Sequence, residues 1–461
     1  MYFSILLDGV RRYKGEPFLI PSAARCARGG IFPAAGVAST HEPRYGHPYR
    51  KGRLMTAQTA STASSAELKG GLAQVLLATI ASTIGFWAWM SISPLQQTYA
   101  TEMGLDEGQI SLMLATPVLV GALGRIVIGA MTDRFGGRVM FTVVLLLSAP
   151  AVLLVALAGS IGSFPLLIVA GFYLGVAGTI FAVGVPFSGA WFPPERRGFA
   201  TGVFGMGMIG TAVSALATPR LAEQIGYFPT HLVIAGALVV MAAIVWFCMR
   251  ESPAWAPNRE KLVPKVTGAL KLPVTWEMAF LYGIVFGGFV AFSNFLPKYL
   301  TTIYPDEVDV LGAGMRTALF AAAAVIARPV GGVLADRFGP KIVSLISLGG
   351  IVTLAYVVGQ QPAEGVLTGA TFLLMAAAMG LGMGAVFAWI GPSTPKEKVG
   401  AVSGVVAAAG GLGGYFPPLV MGATYHPESN SYSLGLWLLV LVGAFALVVA
   451  GMLRDVGRRA S

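Results

Sequence analysis

The chain is 461 residues long, 55% hydrophobic and only 11% charged, with a mean hydropathy of +0.73 and a formal net charge of +10. A water-soluble fold cannot cover that much apolar surface, so the composition predicts a polytopic membrane protein built as one transmembrane unit. Cys26 and Cys248 are too few for a disulfide framework or a metal cluster, and no cofactor is expected.

Charged residues punctuate the sequence at intervals that fit the roughly 20 residues a helix needs to cross a bilayer core. The first two spans centre on Leu72 to Ile92 and Gly108 to Met131, the second interrupted only by Arg125. Residues 139 to 194 carry no charge and are long enough for two spans, with a turn from Gly159 to Pro165. Phe199 to Pro219 and Thr230 to Met249 complete a first set of six. Met278 to Leu296, Gly312 to Ala335, Ile342 to Gln360, Gly365 to Gly391, Val399 to Thr424 and Ser433 to Leu453 make a second six. The expected fold is therefore an all-α membrane protein of twelve transmembrane helices. Residues 69–249 form an N-terminal bundle and 276–453 a C-terminal one. Residues 250–275, polar and rich in proline, join them as a linker, and 454–461 form a tail.

The two halves read as duplicates. Asp133-Arg134-Phe135-Gly136-Gly137-Arg138 after the second span recurs as Asp336-Arg337-Phe338-Gly339-Pro340-Lys341 after the eighth, 203 residues later. The basic residues set the orientation, since cytoplasmic loops carry an excess of lysine and arginine. With both termini inside, the inner loops from the second span onward and the tail hold 16 basic residues. The outer loops hold three, Arg220, Lys298 and Arg316. The positive charge is thus a topology signal for the cytoplasmic membrane, and no nucleic-acid partner is expected. Residues 1–68 are basic, polar and lack a span. They are expected to be a disordered cytoplasmic extension, unless Met55 is the true start.

Two permanent charges lie inside spans, Arg125 in the second and Arg328 in the eighth, each eight residues before its loop aspartate. At a rise of 1.5 Å per residue they sit about 12 Å from the inner end, near the midplane. An arginine there costs several kcal/mol (about 3 by insertion scales) and cannot shed its proton. All 21 acidic residues fall in the termini, in loops or at span ends, so no carboxylate pairs with either arginine at mid-membrane. For a lone arginine, carbonyls at a helix break would suffice; two at duplicated positions point to a bound anion. A guanidinium fork matches a planar oxyanion such as nitrate or nitrite better than a halide. Tyr282 and Phe286, one turn apart in the seventh span, can flank a flat anion, although aromatics at this spacing also pack cores.

The loop Gly129 to Arg138 resembles the loop signature of the major facilitator superfamily, and Gly332 to Lys341 is its second copy. Phe181-Ala182-Val183-Gly184-Val185-Pro186, Ala190 to Gly198, and Ala408 to Pro418 are similar to signatures of its nitrate/nitrite porter family. The resemblance implies that Arg125 and Arg328 clamp the anion and that Tyr282, Phe286 and Phe181 line the site. Two glycine signatures would let helices slide: Gly202, Gly205, Gly207 and Gly210 in the fifth span, and Gly410, Gly411, Gly413 and Gly414 in the eleventh. Static close packing explains such glycines equally well. The loop residues Asp133, Arg134, Arg138, Asp336, Arg337 and Lys341 would act in gating. The chain departs from the family at Met208 and Met383, where many members carry asparagine; losing two amide donors bears on affinity and on the choice between nitrate and nitrite.

The function these features imply is secondary active transport of nitrate and nitrite by alternating access, with no enzyme activity. Two arginines left without an anion would be uncompensated in low dielectric, which favours nitrate/nitrite exchange over nitrate/proton symport. Efflux of another small organic anion is a third possibility. An enzyme would need catalytic groups that the spans lack, and a channel would have to pass an anion that buried arginines retain. The partners expected are the two anions and the lipid bilayer, with the protein working as a monomer.

Overall fold

A computed structural model describes residues 70–192, 197–257, 262–395 and 398–454. The expected extension, residues 1–68, and the last seven residues of the tail lie outside the described residues. The described chain is all helical, and twelve helices are long and apolar enough to cross a membrane. They are Gly71–Met103, Glu107–Phe135, Gly137–Ser160, Phe164–Ala190, Phe199–Ile225, Tyr227–Cys248, Pro273–Ile303, Val310–Phe338, Pro340–Gly359, Val366–Ser393, Val399–Ala423 and Ser433–Met452. Their lengths fit a hydrocarbon core of about 30 Å at 1.5 Å per residue, most with some tilt.

The duplication extends to the caps. The second span starts on Asp106, whose carboxylate accepts from the Gln109 N–H at 2.8 Å while the Gln109 side chain accepts from the Asp106 N–H. The eighth starts on Asp309, which accepts from the Gly312 N–H at 2.7 Å. Both end at glycines in the left-handed half of backbone space, Gly136 at φ 86° and Gly339 at φ 94°, a conformation in which a Cβ would be strained. The repeated Asp-Arg-Phe-Gly loop is thus first a helix stop.

The halves meet along two helix pairs, the second span against the eleventh and the fifth against the eighth. Small residues permit the approach: a Cβ on Gly422 would strike Ser111, and one on Gly314 would strike the Ala215 carbonyl. Several spans are interrupted at mid-depth. The fourth breaks at Gly178–Ile180, the fifth tightens into a 3₁₀ turn at Met206–Ile209, and the eleventh breaks at Gly414–Tyr415. Discontinuous helices expose backbone groups inside the bundle, which is where transporters of this architecture place their sites.

Between the sixth and seventh spans the chain forms one further helix, Leu262–Leu270, and the seventh span begins at Pro273. The linker starts against the N-terminal half. The Arg250 N–H donates to the Gln74 side chain at 2.9 Å, and the Ser252 hydroxyl donates to the Ala190 carbonyl at 2.6 Å.

Candidate functional site

Arg125 and Arg328 are buried, 2% and 7% exposed, and converge on one aromatic ring. The Phe181 centroid lies 5.4 Å from the Arg125 guanidinium carbon and 5.2 Å from that of Arg328. Phe286 approaches Arg125 to 5.0 Å and stacks on Tyr282, the two rings 5.1 Å apart and 5° from parallel. Aromatic faces attract the guanidinium electrostatically, an effect that grows in a desolvated site. The five residues predicted from the sequence therefore occupy one locality. Two more belong to it, Trp89, 5.9 Å from Arg125, and Phe387, 5.9 Å from Arg328 and packed edge-on against Tyr282. Phe387 lies within one helical turn of the position onto which the duplication maps Phe181, a signal available in the sequence. Trp89 gave no such signal; it is one more apolar residue inside the first span.

The polar partners differ between the arginines. Arg125 donates from Nη1 to the Ala407 carbonyl at 2.9 Å and from Nε to the Gly178 carbonyl at 3.4 Å, the latter at the break in the fourth span. Its Nη2 is buried without a hydrogen-bond partner among the described residues. Arg328 meets the Met208 thioether from Nη1 at 2.8 Å and donates from Nη2 to the Tyr282 hydroxyl at 3.4 Å. Among the described residues, the ion pairs are Lys265–Asp133, Lys298–Glu107 and Arg316–Glu364, so none engages either arginine.

The glycine signatures have two roles. Gly207 and Gly210 press the fifth span on the first, against Ser82 and Thr83, and Gly410, Gly413 and Gly414 press the eleventh on the seventh, at Tyr282, Gly283 and Val290. Gly205 and Gly411 instead face the arginine of the opposite half: an added Cβ would lie 3.3 Å from the Arg328 guanidinium carbon and 3.5 Å from Arg125 Nη1. Gly202 faces open space. Met383 is buried between Gly382 and Gly384, the latter packed on the Arg328 carbonyl.

A cavity of about 430 Å³ runs from Arg125 and Phe181 to the linker end, where Asp133, Lys265 and Ser403 line it. Lys265 on the linker helix is paired with Asp133 at 2.6 Å. In the same loop the Arg138 N–H donates to Glu251 at 2.7 Å, and the Arg138 guanidinium lies over Trp246. Burial pushes the Glu251 carboxyl above its ordinary value, against the lowering effect of the N–H groups of Arg138 and Gly137. Arg134 and Arg337 each lie over the neighbouring phenylalanine, and Lys341 donates to the carbonyls of Gly451 and Leu453. The far end is sealed by bonds between the halves. Ser93 donates to the Asn294 carbonyl, the Asn294 amide donates to the Leu114 carbonyl, and Glu107 binds both Lys298, at 2.8 Å, and the Tyr432 hydroxyl, at 2.9 Å.

The sequence profile of the Major Facilitator Superfamily matches residues 75–415 and 301–461. The chain is 54% identical over 379 residues to the "Probable nitrate/nitrite transporter NarK2" of Mycobacterium tuberculosis, covering 82% of this chain and 95% of that one. The chain belongs to the nitrate/nitrite porter family of the major facilitator superfamily. Other relatives in the family are the "Nitrite extrusion protein" of Bacillus subtilis, 33% identical, and the "Probable nitrate transporter NarT" of Staphylococcus epidermidis, 34% identical. These alignments cover 82% and 83% of this chain and 93% and 96% of the relatives. The superfamily fold is shared with a D-xylose–proton symporter, with a TM-score of 0.65, 15% identity, and 84% and 98% of the two chains covered. A bacterial homologue of the human lysosomal transporter Spinster matches with a TM-score of 0.58, 18% identity, and 82% and 94% covered.

Proposed function

We propose that the protein carries nitrate and nitrite across the cell membrane by alternating access, exchanging one anion for the other, with both termini and the linker on the cytoplasmic side. The observation that carries this reading is the convergence of two buried guanidiniums on Phe181 where, among the described residues, no carboxylate pairs with either and Arg125 Nη2 has a proton and no acceptor. A flat monovalent oxyanion supplies acceptors to both forks, and stacked Tyr282 and Phe286 offer it a planar wall. The names of the relatives supply the substrate, and the orientation rests on the excess of basic residues at the linker end.

Alternating access is supported by the contrast between a cavity reaching the linker end and a far end closed by bonds between the halves. Exchange is favoured over proton symport because the groups bonded to the arginines are backbone carbonyls, a thioether and a tyrosine hydroxyl, with no carboxylate or imidazole among the described residues there. His231 is bonded instead to the Tyr227 carbonyl at the start of the sixth span. Purified protein in liposomes loaded with nitrite, or with nothing, or with a pH-sensitive dye, tests the reading by uptake of labelled nitrate. Exchange predicts uptake against internal nitrite with no dye response. Equal uptake into unloaded vesicles, with the internal dye reporting acidification, would establish proton coupling instead, and no nitrate uptake in any vesicle would remove the substrate.

A further inference from the structure

Each arginine binds a group on the half to which it does not belong: Arg125, from the N-terminal half, the Ala407 carbonyl, and Arg328, from the C-terminal half, the Met208 thioether. We infer that Met208 is a positioning residue whose sulfur competes with the anion for Arg328 and ties the halves together whenever no anion is held, which enforces exchange. The inference rests on the exchange reading above.

Met208 lies in the 3₁₀ turn Met206–Ile209, at the point where the fifth span meets the eighth, and is fully buried. Gly205, in the preceding helical segment, leaves room for the Arg328 guanidinium against the same helix. A thioether is a weak acceptor, so an oxyanion, which brings negative charge and stronger acceptor atoms to the same charged donor, displaces it from Nη1. Without an anion, any rocking that separates the fifth span from the eighth takes the sulfur away from Nη1. A buried charged donor then has no acceptor, and the motion is opposed. With an anion bound, the guanidinium carries its acceptor through the motion and the Met208 contact is dispensable. The Ala407 carbonyl acts on Arg125 in the same way, but a backbone group cannot be removed by substitution, which makes Met208 the side on which the idea can be tested.

Met208→Leu keeps the bulk and removes the acceptor; Met208→Gln restores an acceptor of similar reach. Two quantities are read in reconstituted vesicles: the nitrate concentration that half-saturates exchange, and the ratio of nitrate uptake into unloaded vesicles to uptake into nitrite-loaded ones. M208L is expected to lower the first and raise the second by about tenfold, the size of one hydrogen bond to a charged group. M208Q is expected to bring both back toward the wild-type values. If M208L scales both fluxes down together with half-saturation unchanged, or if Leu and Gln behave alike, Met208 only fills space and the inference is overturned. Met208→Ile, which also lacks the acceptor, serves if the leucine variant does not fold. Failure of the exchange reading shows separately, in the wild type, as equal uptake into loaded and unloaded vesicles, and the inference falls with it.

Discussion

Arg125 and Arg328 occupy equivalent places in the two halves, yet Arg125 is held by backbone carbonyls, at Gly178 and Ala407, and Arg328 by side chains, Met208 and Tyr282. Duplication has preserved the depth and the charge of the arginine while its partners have diverged. Depth follows from helix geometry and a loop that ends each helix at a glycine, and both halves inherit those. Partners follow from what the neighbouring helices present, and that differs: the fourth span opens a carbonyl at Gly178 toward Arg125, whereas the fifth presents a side chain from its 3₁₀ turn to Arg328. Sequence change can therefore retune the Arg328 side, while the Arg125 side is fixed by the backbone.

Replacing each arginine by lysine tests whether the two sides still do one job. Lysine keeps the charge but loses the planar fork. Arg125→Lys and Arg328→Lys are each expected to weaken nitrate binding by about a hundredfold, the loss of one to two charge-assisted bonds; a variant that binds as the wild type does would show that its arginine is structural. Methyl groups added beside the arginines sharpen the contrast. In Gly411→Ala the new Cβ would lie 2.7 Å from the Ala122 Cβ and 3.0 Å from its Cα, whereas in Gly205→Ala it meets the movable end of Arg328 at 3.3 Å. Overpacking against backbone costs about 1–3 kcal/mol, so G411A should lose more transport and more thermal stability than G205A, as read by initial uptake rates and melting in detergent.

Tyr282→Phe removes only the 3.4 Å bond to Arg328 Nη2 and keeps the ring stacked on Phe286. Half-saturation for nitrate should shift by about threefold or less, as befits a long, poorly formed bond, with the Arg125 side untouched; a loss as large as that of R328K would place the hydroxyl on the anion itself. The smallest effect is expected away from the site. Glu251 is held above the ordinary carboxylate value by burial, so its stabilising contribution is present at low pH and is lost as pH rises through the folded-state value. Glu251→Gln, which keeps an acceptor for the Arg138 N–H, should flatten the fall in melting temperature as pH rises above the ordinary carboxylate range and leave nitrate affinity unchanged.

The twelve spans, the duplication and both arginines were legible because charge in an apolar run is sparse, and membrane depth follows from counting residues along a helix. Gly205 and Gly411 were legible as small residues, but not as the two that face the opposite half's arginine, because that needs the crossing of the fifth span with the eighth and of the second with the eleventh. Met208 was visible as the absence of an amide; its contact with Arg328 depends on the 3₁₀ turn around it, which propensity does not announce. The linker helix was missed for a different reason. Leu262–Leu270 is short, includes Pro264 and lies among polar residues, so its pairing with Asp133 through Lys265 is a tertiary fact rather than a local one.

The central claim is that the two guanidiniums hold one planar anion together. A double-mutant cycle tests it most directly, with nitrate binding measured calorimetrically in detergent for the wild type, R125K, R328K and R125K/R328K. A shared anion predicts strong coupling: each single change costs about a hundredfold and the double change little more, since the second fork has no correctly placed ion left to grip. If the two losses simply multiply, or one of them is absent, the arginines act on separate events and the clamp is contradicted.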